Sequence, residues 1–87
     1  MPLVNTTDMK PIKNTRELRR AIAAGRHDYR LRLEGGLCSR KTIALFADGR
    51  FEIENHIDGS EQTLTGQQLY SESNIGEGMK KGAFVSE

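Results

Sequence analysis

The chain has 87 residues and a mass of 9.7 kDa, the size of one small domain, because separately cored units appear only in much longer chains. With 36% hydrophobic and 29% charged residues and no Trp, it can fill one thin core of Leu, Ile and Val, and two fully buried layers are excluded. The net charge of +1 hides an asymmetry: residues 1–50 carry +6 and residues 51–87 carry −5. Either the two halves neutralise each other within the fold, or the first forms a basic face for an anionic partner.

No stretch approaches the ~18 apolar residues of a membrane span, and the first ten residues lack the basic head and apolar middle of a signal peptide. A cytoplasmic protein with no membrane partner is expected. Cys38 is the single cysteine, which rules out an intramolecular disulfide. Together with His27 and His56 it makes a poor metal set, so neither a metal nor another cofactor is expected.

Residues 1–13 hold two prolines and no periodic pattern, and are expected to form an extended arm without core residues, ahead of a single domain over 14–87. Asn14 and Glu17 have the spacing of a capping box. Leu18, Ala21 and Ile22 then share one stripe, and Gly25 supplies a left-handed stop, which predicts a helix of about eleven residues. Arg16, Arg19 and Arg20 point away from that stripe.

From Tyr29 the period changes to two: Tyr29, Leu31 and Leu33 alternate with Arg30, Arg32 and Glu34, the pattern of a half-buried strand. Further strands are predicted over 40–46 and 50–57. A three-residue turn at Ala47-Asp48-Gly49 with Gly49 left-handed puts Leu45 opposite Phe51 and Ile43 opposite Ile53, whereas a two-residue turn would set them against Glu52 and Glu54. The same reasoning favours a loop over residues 35–39 that places Leu31 opposite Ile43 and Tyr29 opposite Leu45. Asp58-Gly59 marks another turn, so the meander has three strands, or four if residues 61–64 join it.

Thr65 to Gln68 is a second capping box, with Leu64 and Leu69 placed as a hydrophobic staple, and Asn74 to Glu77 repeats the cap pattern. Two short helices follow. Gly76 and Gly78 each cost the second of them up to ~1 kcal/mol relative to alanine, so it must lean on the sheet. Ala83-Phe84-Val85 is expected to dock by burial or strand pairing. The expected fold class is α+β: an N-terminal helix, a three- or four-stranded antiparallel meander and two short C-terminal helices packed on one face.

No catalytic constellation emerges. Cys38 lies near the cations Arg40 and Lys41, which would favour a thiolate, with His56 the candidate base, but a small loop cysteine is more often a passive hydrophobe. The Gly35-Gly36 pair lacks the later Gly-Lys of a phosphate loop. The remaining candidates are surfaces. Arg30, Arg32 and Lys41 are expected on the sheet face or edge away from the core, near Arg40 and joined by Arg19 and Arg20, as a basic patch for phosphates or for an acidic protein. Exposed aromatics interleaved with these cations are lacking, apart from Phe46.

The runs Leu31-Arg32-Leu33-Glu34-Gly35-Gly36, Ser39-Arg40-Lys41-Thr42-Ile43 and residues 55–65, with Asn74-Ile75-Gly76, resemble a set of short bacterial proteins to which no activity is assigned. That likeness spans about residues 14–85 and transfers no site residues. The order helix, three strands, helix is similar to double-stranded-RNA-binding domains. In that family, however, a long final helix opens on a Lys-Lys-x-x-Lys-like cluster, whereas Lys80-Lys81 closes a short one here. The order also resembles some small phage-encoded nuclease inhibitors. The expected function is a non-enzymatic interaction or regulatory domain of bacterial or mobile-element context that binds a protein partner or itself as a homodimer. The alternative is nucleic-acid binding through the basic half.

Overall fold

A computed structural model describes residues 10–87. Among the described residues the fold is α+β, with three α-helices and a six-stranded antiparallel sheet. In chain order the elements are β1 (Lys10–Pro11), α1 (Thr15–Ala23), β2 (Asp28–Arg32), β3 (Cys38–Leu45), β4 (Phe51–Asn55), β5 (Glu61–Leu64), α2 (Gly66–Glu72), α3 (Asn74–Lys81) and β6 (Phe84–Ser86). The sheet order is β1-β6-β2-β3-β4-β5. Two strands beyond the expected meander are therefore present, and the last element of the chain lies between the first two strands.

The capping chemistry explains the helix starts. Asn14 Oδ1 accepts from Glu17 N at 2.9 Å, while Glu17 Oε1 accepts from Lys13 N at 2.7 Å rather than closing the box on Asn14. Thr65 and Gln68 form the full reciprocal box. The third cap is Ser73, one residue before the expected Asn74, with Ser73 Oγ accepting from Gly76 N. Lys10–Pro11 of the expected arm pairs with β6, and Ile12 is buried in the core, where no core residue was expected. The rest of that arm, residues 1–9, lies outside the described residues.

The hairpin between β3 and β4 has the expected register, Leu45 opposite Phe51 and Ile43 opposite Ile53, with Gly49 at φ 95°. The hairpin between β2 and β3 does not. Gly35 and Gly36, both at positive φ, let the chain reverse between Leu33 and Leu37, whose backbones bond at 2.7 Å. Leu31 thus lies opposite Ser39 and Tyr29 opposite Lys41, which corrects the expected pairing with Ile43 and Leu45. The apolar neighbours that argued for the longer loop come instead from β6: Phe84 pairs with Leu31 and stacks on Tyr29, centroids 5.4 Å apart.

One buried cluster unites Tyr29, Leu31, Ile43, Phe51, Ile53 and Phe84 of the sheet with Leu18 and Ile22 of α1, Leu69 of α2, and Ile75 and Met79 of α3. The glycines of α3 belong to this packing. A Cβ on Gly76 would collide with the Tyr70 carbonyl, and one on Gly78 with Leu31 Cδ1. They therefore give up helix propensity for close approach. Gly76→Ala meets fixed backbone and is expected to destabilise by about 3 kcal/mol, while Gly78→Ala meets the mobile end of a side chain and should cost about 1–2 kcal/mol. Urea unfolding of the two variants checks both the sign and the order.

Candidate functional site: the outer face of the sheet

Because side chains alternate along a strand, placing Tyr29, Ile43, Phe51 and Phe84 in the core sends their neighbours to the opposite face. There Asp28, Arg30 and Arg32 of β2, Cys38, Arg40, Thr42 and Ala44 of β3, Glu52 and Glu54 of β4, Glu61 and Thr63 of β5, and Val85 of β6 are all exposed or half-buried. Arg30 stands directly opposite Arg40, and Arg32 opposite Cys38. The Arg30 and Arg40 guanidiniums are bridged by Glu87, with Arg30 Nε 3.1 Å from Glu87 Oε2 and Arg40 Nη2 3.0 Å from Glu87 Oε1. Partial burial works to raise the Glu87 pKa, but hydrogen bonds and charge from Arg40 and Arg30 outweigh it and hold the carboxyl below its ordinary range.

A shallow cavity of about 130 Å³ opens beside this cluster, lined by Arg30, Arg32, Cys38, Gly82, Ala83 and Val85. At the same end of the sheet, the turns after β2 and β4 carry Leu37 and Ile57, 68% and 69% exposed, the two most exposed large apolar side chains among the described residues. On the other half of the face Glu54 lies directly opposite Glu61. Among the described residues, Arg32, Glu52, Glu54 and Glu61 make no ion pair.

The six candidate basic residues therefore do not form one patch. Arg30, Arg32 and Arg40 come together on the outer face. Lys41 does not join them: it shares parity with Ile43 and follows it inward, correcting its expected outward placement. Arg19 lies on the helix side, its guanidinium 4.7 Å from the Phe51 ring centre and donating to the Gly49 carbonyl at 3.0 Å. Arg20 is exposed on the same helix. Sequence reasoning missed Glu87, Leu37 and Ile57. The signal for the last two is a large apolar residue set next to turn glycines or within an Asp-Gly turn.

Cys38 and His56 do not meet. His56 follows β4 with its backbone N–H donating to the Arg40 carbonyl at 3.0 Å, but its ring lies toward Thr42, with Nε2 2.7 Å from Thr42 Oγ1 on β3. Four residues separate Thr42 from Cys38 along that strand, about 13 Å at strand spacing. Among the described residues, no three His, Cys, Asp or Glu side chains gather as a metal set. No described helix is long and apolar enough to cross a membrane. No known protein family, curated protein or solved structure matches the chain.

Lys41, only 8% exposed, donates from Nζ to Ser39 Oγ at 3.2 Å and to Asn55 Oδ1, beside a polar cleft of about 270 Å³ that also reaches Gln62 and Ser73. Burial pushes its pKa below the usual lysine value, and the charge of Asp58 restores part of it. The folded state thus binds fewer protons than the unfolded chain, so stability should rise with pH from that lowered pKa toward 10.5. Tyr29, pushed up to about 12 by burial, acts in the opposite sense above pH 10. Between pH 7 and about 9.5, urea unfolding should show the wild type gaining stability and Lys41→Met a flatter profile.

Proposed function

We propose that the protein is a small, non-enzymatic interaction domain that binds a protein through the outer face of its sheet. The observation that carries this reading is the juxtaposition, at one end of that face, of Arg30, Arg32 and Arg40 with the exposed Leu37 and Ile57. Apolar anchors give a partner surface to bury, and the arginines set orientation and encounter rate. The three helices pack on the core side, and among the described residues Leu37 and Ile57 stay exposed while Glu87 alone bridges the arginines.

Two features support the face over the sheet edges. β1 is two residues long and contains Pro11, and β5 is four residues long with Glu61 exposed, so both edges are poor templates for an added strand. Nucleic-acid binding is the second reading, favoured by the clustering of three arginines. It is weakened by Glu87 between two of them and by the distribution of the exposed rings. Phe46 lies near Arg50 and Tyr70 near Lys80, away from the cluster. A bacterial or mobile-element regulator or inhibitor is the cellular role this reading fits.

Capture of partners from the host with the full chain, with and without nuclease, tests the reading. A protein that is retained after nuclease and lost with the Leu37→Ser/Ile57→Ser pair is the expected outcome. Both positions are exposed, so the substitutions should shift stability by less than about 0.5 kcal/mol, which a thermal melt checks. Captured material that disappears with nuclease, and binding that falls steeply with salt, would transfer the function to nucleic acid.

A further inference from the structure

On the core side of the sheet, Lys41 of β3 lies opposite Asn55 of β4, and Gln62 of β5 lies opposite Ile53. The junction of α2 with α3 meets this end of the sheet, and Glu72, Asn74 and Ile75 join Lys41, Asn55 and Gln62 in lining the cleft of about 270 Å³. The fold does not use up the polar groups gathered there. The Lys41 ammonium has three N–H groups, and the protein accepts from it at Ser39 Oγ and Asn55 Oδ1, both neutral. Asn55 is set for this role, because its Nδ2 donates to Ser60 Oγ at 3.2 Å. Asp58 acts on the ammonium through space while accepting from Ser60 N at 2.9 Å, and among the described residues no carboxylate forms an ion pair with Lys41. A cation only 8% exposed therefore lacks a counter-ion and keeps one N–H for whatever fills the cleft. Glu72 is its converse. It sits in the last turn of α2, where the helix dipole disfavours negative charge and no basic side chain offsets it. Among the described residues the side chains of Gln62, Glu72 and Asn74 make no hydrogen bond or ion pair.

We propose that this cleft binds a small α-amino acid, whose carboxylate meets the Lys41 ammonium and whose ammonium meets the Glu72 carboxylate. Two opposite charges that line one cleft without pairing with each other match a ligand carrying both signs. A phosphate would meet Glu72 as well as Lys41, a simple amine would meet the ammonium, and a simple carboxylate would satisfy Lys41 alone. The Gln62 and Asn74 amides offer further donors and acceptors, and the buried Ile75 gives the ligand's carbon atoms an apolar wall. The volume lies just below the ~300–1,000 Å³ of sites for drug-sized ligands, which suits a metabolite the size of an amino acid. Charge-assisted hydrogen bonds supply most of the affinity. The site is on the face of the sheet opposite Arg30, Arg32 and Arg40, so it goes beyond the outer-face reading and does not rest on it.

Amide NMR titration of the full chain tests the site, with L-alanine, L-serine and L-glutamine as ligands and acetate, methylamine and inorganic phosphate as comparisons. At least one of the amino acids should shift the resonances of residues 41, 55 and 72–75 saturably, and bind about tenfold or more tighter than acetate or methylamine. Lys41→Met should weaken that amino acid by about tenfold or more. Glu72→Gln, at an exposed position, should keep the spectrum of the folded wild type and reduce the amino acid to the affinity of acetate. Should Lys41→Met fail to fold, Glu72→Gln decides alone. The proposal is overturned if none of these amino acids shifts the cleft resonances, if acetate or phosphate binds as tightly as they do, or if Glu72→Gln leaves their affinity unchanged. Capture of a protein through Leu37 and Ile57 is read on the other face, so either reading can fail without the other.

Discussion

The insertion of β6 beside β2 is the constraint on which the sheet and both of its faces depend. Phe84 supplies the ring that stacks on Tyr29 and pairs with Leu31, and Leu31 in turn sits against Gly78 of the helix that delivers the chain to β6. Burial of three such large side chains contributes roughly 1.5–3 kcal/mol each, a substantial part of a small domain's stability. The same strand fills the gap between β1 and β2, so that Pro11 and Ile12 are held by pairing with residues more than seventy positions away. Without β6 the sheet would begin at β2, whose outer edge would then be a five-residue template open to other strands.

The strand that completes the core also shapes the outer face. Val85 alternates outward beside Arg30, and Glu87 follows it to reach both Arg30 and Arg40. Two arginines set directly opposite each other in neighbouring strands would otherwise repel by a few tenths of a kcal/mol, and the shared carboxylate removes that cost. The pairs are partly exposed, so their worth lies less in stability than in holding the guanidiniums upright and in register. The acidic half has no equivalent. Glu54 and Glu61 face each other without a bridge, and the fold tolerates this because both reach solvent. A like-charge pair that the chain leaves unrelieved, beside one that it relieves, makes the two halves of the face chemically different.

What could be read from the residues, and what could not, divides along the range of the interactions. The register of β3 on β4 was legible because Leu45, Ile43, Phe51 and Ile53 leave only one turn length that matches apolar with apolar, and the full box of Thr65 with Gln68 is a local signal. The register of β2 on β3 was misread because the same matching rule was applied to a strand whose apolar partners come from residue 84, fifty positions on. Local pattern cannot show that Phe84 will occupy the place assigned to Ile43 and Leu45. The basic candidates followed suit. Alternation within β2 puts Arg30 and Arg32 outward, while Lys41 was expected outward with them although its parity with Ile43 sends it inward and leaves Arg40 opposite Arg30. Arg19 was expected to join the basic patch, and it instead covers Phe51.

Lys41 shows why parity prevailed. Turning the lysine outward would require a one-residue slip of β3 that also expels Ile43, losing about 1.5–3 kcal/mol of burial. Keeping it inward requires an ammonium to be desolvated, which costs several kcal/mol in an apolar pocket and much less in a polar one. The core face supplies the polar pocket at that level. Ser39 lies two residues away on the same strand, Asn55 lies opposite, and a polar cleft opens beside them, so the ammonium keeps hydrogen bonds and access to water. The core is thus apolar around Phe84, Phe51 and Ile53 and polar at the end where Lys41 enters. The charge lost from the outer face at position 41 leaves Arg30, Arg32 and Arg40 as the basic cluster there, with Asp28 and Glu87 beside it and Glu54 diagonal to Arg40.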